Sequence, residues 1–153
     1  MNTYEHTQRA PLHWLLSLPA AILLATAWLN RGQPLTALIL GAVAVIVLGI
    51  GCCFQHLTIR DEGESLAVRY GPLPIFRTRI AYADIARAQR GRTTWLDGWG
   101  IHWIPGRGYT YNLWGFACVE LEVRDRIIRL GSDDVEGLLA FLQTKREASN
   151  PQA

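Results

Sequence analysis

Two long apolar runs near the N-terminus form the clearest pattern in the chain. Residues 12–29 and residues 35–54 carry no charged side chain, and the polar residues 30–34 separate them. A helix needs about 20 apolar residues, at about 1.5 Å rise each, to cross the hydrocarbon core of a bilayer. Because lipid cannot satisfy backbone polar groups, each run is predicted to be helical. The pattern therefore predicts a transmembrane hairpin. The small residues 25–27 leave a cleaved signal peptide open as the alternative for the first run.

From residue 55 onward, apolar and polar positions alternate with a period of two, which is typical of β-strands. Leu57 and Ile59 precede the acidic turn at residues 61–64, and Leu66 and Val68 follow it, so this stretch predicts a hairpin. Later alternation predicts further strands within residues 75–81, 86–93, 100–104, 109–113, 117–123 and 127–130. In the strand at 117–123, Val119 and Leu121 are expected to face inward, and Cys118, Glu120 and Glu122 outward.

The last predicted element is a helix over residues 132–147. Ser132 is expected to be its N-cap, and apolar residues recur at helical spacing after it. The fold class is thus a membrane protein with a helical transmembrane hairpin in residues 1–54. A mainly β domain of about seven antiparallel strands with a C-terminal helix is predicted over residues 55–147. Residues 148–153 are expected to form a disordered tail.

This order of elements resembles the bacterial pleckstrin-homology-like (PH-like) domains, which are often attached to one or two membrane spans. The segments that carry the resemblance are LTIRDEGESLAVRYG, GWGIHW with YNLWG, VELEV, RDRIIRLGSDD and VEGLLAFL. The resemblance implies two near-orthogonal sheets, capped at one end by the helix. In many eukaryotic relatives, a basic loop between the first strands binds phosphoinositides. Here the loop is Asp-Glu-Gly-Glu at residues 61–64, so phosphoinositide binding is not carried over.

The distribution of charge predicts the orientation in the membrane. Arg31 is the one charged side chain in residues 11–54, and the formal net charge of the whole chain is +2. Arg9 and Arg31 lie at opposite ends of the first apolar run, so together they favour neither orientation. Several arginines follow the second run. Because basic residues are enriched on the cytoplasmic side, the N-terminus and the C-terminal domain are both predicted to be cytoplasmic, at the plasma (inner) membrane. No concentrated basic stripe is present, so nucleic acid is not an expected partner.

No residue pattern points to catalysis, a metal or a cofactor. The three cysteines form no CxxC pair, and the histidines lack the HxxxH and HExxH spacings of metal sites. Glu120 and Glu122 are expected to pair with arginines across the sheet, and His102 to be a packed or surface histidine. The candidate nucleophiles are Ser65, Ser132 and Cys118, and none of them lies in a GxSxG pattern. The chain is therefore expected not to be an enzyme.

The aromatic-rich residues 95–116 are the candidate for a partner surface. Trp and Tyr are favoured both at protein interfaces and at the depth of lipid headgroups. The alternative is that they fill the core and corner of a small β fold. The candidate surface residues are Trp95, Trp99, Trp103, Tyr109, Tyr111 and Trp114. The candidate lipid-facing basic residues are Arg77, Arg79, Arg87, Arg90 and Arg92.

These expectations describe a membrane-anchored, noncatalytic PH-like domain that acts as a protein-interaction or scaffolding module. Its partner would be another protein or a second copy of the chain. The alternative function is the sensing of anionic lipid headgroups through the arginines, each of which contributes about 1 kcal/mol when close to the membrane.

Overall fold

The computed structural model describes residues 3–149, with nine β-strands and three α-helices. In chain order the elements are β1 (Glu5–Arg9), α1 (Leu12–Leu29), α2 (Pro34–Cys53), β2 (His56–Asp61), β3 (Ser65–Gly71), β4 (Arg77–Ala81), β5 (Ile85–Arg92), β6 (Gly100–Ile104), β7 (Gly108–Asn112), β8 (Ala117–Val123), β9 (Arg126–Gly131) and α3 (Val135–Ser149). A single 3-10 turn, Tyr82–Asp84, separates β4 from β5. Of the predicted tail, residues 148 and 149 belong to α3, and residues 150–153 lie outside the described residues.

Helices α1 and α2 lie side by side and antiparallel, and they are called the helix pair below. A Cβ placed on Gly51, near the end of α2, would lie 3.3 Å from the Cβ of Leu16, near the start of α1. Helix α2 is long and apolar enough to span a membrane, with a mean hydropathy of 2.6, whereas the apolar part of α1, His13–Leu29, is shorter. Most of the large apolar side chains on both helices are exposed.

The first strand precedes the helix pair but belongs to the β domain. Strand β1 pairs antiparallel with β2, from Glu5 opposite Arg60 to Arg9 opposite His56. The prediction that all of residues 1–54 belong to the membrane part is wrong for this strand. The reason is that EHTQR contains no large apolar residue, so its strand character comes from pairing with β2 rather than from its own pattern. The helix pair is therefore an insertion between two neighbouring strands of one sheet.

The strands form two sheets, with the orders β1-β2-β3-β4 and β5-β8-β9-β7-β6. The prediction of a mainly β domain with a C-terminal helix is confirmed. The prediction of antiparallel strands throughout is wrong at one pair, because β7 runs parallel to β9, with Tyr109 opposite Ile128. The β6–β7 hairpin lies beyond β9 in space although it precedes β8 in sequence. Alternation of side chains identifies a strand and its buried face, but not its neighbour in the sheet.

The hydrophobic core lies between the two sheets and α3. Side chains that alternate along the strands fill it, and Leu57, Val68 and Leu121 are examples that are almost completely buried. Cys118, which was expected to face outward from β8, is also fully buried. It lies opposite Gly91, and a Cβ on that glycine would come within 3.0 Å of the Cys118 sulfur. The sulfur therefore occupies space that the glycine leaves open.

Helix α3 begins at Val135 rather than at residue 132. Its cap is Asp134, whose carboxylate accepts a hydrogen bond from the backbone N–H of Gly137 at 3.1 Å. The predicted cap, Ser132, instead accepts a hydrogen bond from the N–H of Asp134 at 3.0 Å. Ser132 and Asp134 are both good capping residues and lie close together in the chain, so residue type alone does not decide which of them caps the helix.

Helix α3 also holds the N-terminal segment in place. The Tyr4 ring stacks on Phe141 with the ring centroids 5.3 Å apart, and the Tyr4 hydroxyl donates a hydrogen bond to Asp134 at 3.1 Å. His6 pairs with Asp133 through its ring nitrogen. These side-chain contacts attach β1 and the residue before it to α3 and its N-terminal end. They add to the backbone pairing of β1 with β2.

Candidate functional site

The six candidate aromatic residues do not form one surface. Three of them, Trp95, Trp99 and Trp114, come together on the loops that follow β5 and β7. The other three lie on the β6–β7 hairpin, and they are Trp103, Tyr109 and Tyr111. The structure thus divides the sequence-predicted site into a loop group and a strand group.

The loop group is a continuous stack of rings, called the tryptophan cluster and made of Trp95, Trp99, Trp114 and Phe116. Trp99 stacks on Trp114 with centroids 4.3 Å apart and planes at 22°. The ring of Trp95 packs at a tilt against Trp99, with the centroids 5.5 Å apart. It also packs edge to face with Phe116, with the centroids 5.2 Å apart. Such aromatic pairs contribute about 0.5–1.5 kcal/mol each beyond the area they bury. The cluster therefore joins the loop after β5 to the loop after β7.

A buried polar network fixes the backbone under the tryptophan cluster. The side-chain amide of Asn112 donates to the carbonyl of Gly115 at 3.0 Å, and the indole N–H of Trp99 donates to the same oxygen at 3.4 Å. The side chain of Gln8, on β1, donates to the Trp114 carbonyl at 3.2 Å. Because Gln8 and Asn112 are buried, these bonds form away from competing water.

Asp97 anchors the loop that carries Trp95 and Trp99. Its carboxylate is fully buried and accepts hydrogen bonds from the backbone N–H of Thr94 at 2.6 Å and from the Thr94 hydroxyl at 2.9 Å. The Arg107 guanidinium pairs with it at 2.9 Å. Burial alone raises the pKa of the Asp97 carboxyl, but the bonds from Thr94 and the charge of Arg107 outweigh burial and hold the pKa below its usual range. Asp97 is therefore ionised at neutral pH.

The strand group lies at the edge of the second sheet. Trp103, on β6, stands opposite Tyr109 on β7, and the rings of Tyr109 and Tyr111 are stacked 6.5 Å apart. Strand β6 pairs on one side only, with β7, so its other side is an open edge. The Trp103 side chain is 61% exposed there, so this aromatic residue is not part of the core.

The five candidate arginines are spread over both sheets. Arg77 and Arg79 lie on β4, and the other three lie on β5. Arg79 pairs with Glu62 at 2.7 Å, and Arg90 pairs with Glu136 at 2.9 Å. The arginines therefore do not form a single basic surface, and part of their charge is offset by neighbouring carboxylates.

The residues considered for chemistry are held in structural contacts. Glu120 pairs with Arg129 at 2.8 Å, and the ring of His102 lies 2.7 Å from the Trp99 carbonyl oxygen. Burial raises the pKa of the Cys118 thiol to about 11, so this group is protonated at neutral pH. Within the described part of the chain, no group of His, Cys, Asp and Glu side chains is placed to hold a metal ion.

The polar residues that support the aromatic ones are not among the residues predicted from the sequence. Thr94 and Asp97 have the spacing of a side chain that caps a turn, which is a local signal for this loop. Asn112 and Gly115 are likewise three residues apart, whereas Gln8 gives no local signal because it bonds the Trp114 carbonyl 106 positions away. Comparisons with protein-family models and with curated proteins find no match to this chain.

Proposed function

We propose that this protein is a membrane-anchored, noncatalytic β domain that acts as a protein-interaction or scaffolding module at the cytoplasmic face of the membrane. One observation carries the proposal: the helix pair leaves the first sheet after β1, returns to it at β2, and exposes its apolar side chains outside the domain. An exposed apolar surface of this extent is costly in water, and a bilayer removes that cost.

The anchor consists of both helices in this proposal. The apolar part of α1 is short, but Trp14 and Trp28 lie near its two ends, where Trp side chains occupy the membrane–water interfaces. Because β1 and β2 are neighbours, both ends of the helix pair lie on the side of the β domain. The arginines that follow α2 in sequence favour the cytoplasm for that side, and the plasma (inner) membrane of a bacterium is the proposed location.

The proposed fold family is the PH-like domains. Two sheets followed by a C-terminal helix that packs against β5 and β8 support this assignment. The chain departs from the expected pattern in two respects. Its first strand precedes the helix pair, and β7 is parallel to β9.

The proposed binding surface for a protein partner is the open edge of β6. A partner strand that pairs with this edge gains backbone hydrogen bonds, and Trp103 beside Tyr109 supplies a side-chain anchor. The other sheet edges carry formal charges, which discourage strand addition. These charged edges are β1 with Glu5 and Arg9, β4 with Arg77 and Arg79, and β5 with Arg87, Arg90 and Arg92. Strand β6, GIHWI, carries none.

The test is in-cell crosslinking of the full-length protein, purification in mild detergent, and mass spectrometry of the bound material. A stoichiometric partner protein, or a second copy of the chain, is expected with the natural sequence. Trp103→Lys is expected to reduce recovery about tenfold or more, because loss of a central Trp anchor costs about 2 kcal/mol or more and the new charge blunts the edge.

The matched control is Gln89→Lys, which adds the same charge to the opposite edge of the same sheet. It is expected to leave recovery unchanged. Equal loss with both variants, or full retention with Trp103→Lys, would show that β6 is not the binding edge. Repeated recovery of the chain alone would favour the alternative function, the sensing of anionic lipid.

One observation favours that alternative. Arg77 and Arg92 lie at the end of the β domain from which the helix pair leaves. In the ladder, Arg77 is opposite Arg69 near the end of β3, and Arg92 is the last residue of β5. Arg87 lies toward the other end of β5, and Arg79 and Arg90 are paired with carboxylates, so lipid contact by all five arginines together is not supported.

A further inference from the structure

The exposed apolar side chains of the β domain are concentrated at one end. Among the described residues of this domain, six large apolar side chains are exposed. Five of them lie on three loops, called the basal loops, at residues 72–76, 94–99 and 113–116. The five are Leu73, Ile75, Trp95, Leu96 and Trp114, and the sixth is Trp103 on β6. Ile75 is 68% exposed and Leu96 is 80% exposed, so these side chains are not partial members of the core.

Two basal loops contact residues that flank the helix pair, and the third adjoins a residue that lies close to one of them. In the first loop, Phe76 stacks on Phe54, the residue that follows α2, with centroids 5.3 Å apart. The loop at 94–99 leads directly into Gly100, where an added Cβ would lie 3.7 Å from the Phe54 ring. In the third loop, the Trp114 carbonyl accepts its hydrogen bond from Gln8, four residues before α1 begins. The basal loops therefore lie close to the point where the helix pair meets the β domain.

The charges at this end match an anionic surface. Arg9, Arg77 and Arg92 are exposed and form no ion pair with any described residue. The one acidic residue in the basal loops is Asp97, which is fully buried and paired with Arg107. Apolar side chains beside unpaired arginines, without an exposed carboxylate, are the composition that suits the headgroup layer of an anionic bilayer.

We propose that the basal loops insert Leu73, Ile75, Trp95, Leu96 and Trp114 into the headgroup layer of the bilayer that holds the helix pair, with Arg9, Arg77 and Arg92 against lipid phosphates. This inference rests on the proposed membrane anchor. The loops then fix the tilt of the β domain, because three contacts around the helix pair prevent it from pivoting on the two short connections at residues 10–11 and 54–55. The edge of β6 is held at a constant height above the membrane as a result.

The internal hydrogen bonds of the loops support this role. Insertion of a loop into headgroups is more favourable when its backbone is already ordered, because less conformational entropy is then lost on binding. Asp97 with Thr94, and Asn112 with Gly115, already order two of the three loops. Trp99 on Trp114 connects those two loops to each other.

The experiment measures depth in the bilayer with a spin label on the full-length protein. The protein is reconstituted into vesicles of phosphatidylcholine and phosphatidylglycerol, in a background with Cys52→Ser, Cys53→Ala and Cys118→Ala. Single cysteines are placed by Leu96→Cys and Ile75→Cys, and collision rates with oxygen and with a water-soluble nickel chelate are compared. Two reference positions are Ile46→Cys on the exposed face of α2 and Glu64→Cys in the turn between β2 and β3 at the opposite end of the domain.

The expected result is a ratio of oxygen to nickel collisions that is several-fold higher at residues 75 and 96 than at residue 64, and highest at residue 46. A ratio at residues 75 and 96 equal to that at residue 64, with residue 46 still deep, overturns the insertion of the basal loops and leaves the anchor intact. A water-like ratio at residue 46 overturns the anchor itself, and the loop proposal with it.

Discussion

A chain in which residues 11–54 are replaced by Asn-Gly is expected to be water-soluble and to keep the fold of the β domain. The helix pair connects two strands that are already neighbours, and the backbone N–H of Ala10 lies 3.5 Å from the carbonyl oxygen of Gln55. A two-residue Asn-Gly turn closes such an antiparallel pair in the conformation that matches strand twist. The measurement is expression without detergent, followed by size-exclusion chromatography and far-ultraviolet circular dichroism, with a soluble, β-rich protein as the expected product.

The matched control is a chain that begins at Gln55, which also lacks the helix pair but loses β1 as well. It is expected to be less stable by about 3 kcal/mol, because the ladder with β2 and the packing of Tyr4 on Phe141 are lost. Equal stability of the two chains in urea unfolding would show that β1 is not an integral strand. Aggregation of the Asn-Gly chain alone would contradict the description of the helix pair as an insertion.

Gly108→Ala is expected to be the most damaging small substitution in the β6–β7 hairpin. Gly108 has a φ of +87°, and a Cβ there would lie 2.0 Å from the backbone carbonyl oxygen of Ile127 on β9. A left-handed conformation costs a residue with a side chain about 1–2 kcal/mol, and the clash must separate β7 from β9, so the sum is about 3 kcal/mol or more. At about 4 °C per kcal/mol, Tm is expected to fall by about 12 °C or more. Thermal unfolding of the full-length protein in detergent, followed by tryptophan fluorescence, measures it.

Gly106→Ala controls for the backbone conformation in the same hairpin. Its φ is +75°, but an added Cβ meets nothing within 4 Å. The expected cost is the conformational part alone, about 1–2 kcal/mol. Similar losses for Gly106→Ala and Gly108→Ala would contradict the close approach of β7 and β9, and with it the parallel pairing.

The helices of this fold are the part that the sequence predicts best. Both helices of the pair agree with the predicted runs to within one residue at each end, because uncharged runs of this length have few other conformations available. Most strands were also predictable from alternation, as Leu57, Ile59, Leu66 and Val68 illustrate. These features depend on local pattern, and local pattern is what a single sequence contains.

The features that the sequence did not predict depend on contacts between distant segments. Strand β1 is polar, and only its partner β2 makes it a strand. The parallel pairing of β7 with β9 follows from where the β6–β7 hairpin docks, which no turn residue specifies. Cys118 is buried because Gly91 lies opposite it in the ladder. In each case the deciding partner is at least 19 positions away, which is the separation of Tyr109 and Ile128 in the β7–β9 pair.

The candidate site was predicted in composition but not in arrangement. The density of Trp and Tyr made residues 95–116 the candidate segment, because a stretch this rich in large aromatic residues is conspicuous in any sequence. Its division into the tryptophan cluster and the β6 edge requires the register of β6 on β7. The support from Gln8 requires the packing of both sheets, so only the structure shows it, whereas Asn112 bonds Gly115 only three residues along the chain.

The proposed topology places the helix pair across a membrane, with β1 and the rest of the β domain together on the cytoplasmic side. The most direct measurement is labelling of single cysteines with a membrane-impermeant maleimide in intact and lysed spheroplasts, in the cysteine-free background. This topology predicts that Gln33→Cys, in the turn between the helices, reacts in intact spheroplasts, and that Glu5→Cys and Glu64→Cys react only after lysis. Reaction of Glu64→Cys in intact spheroplasts, or protection of Gln33→Cys until lysis, would contradict it.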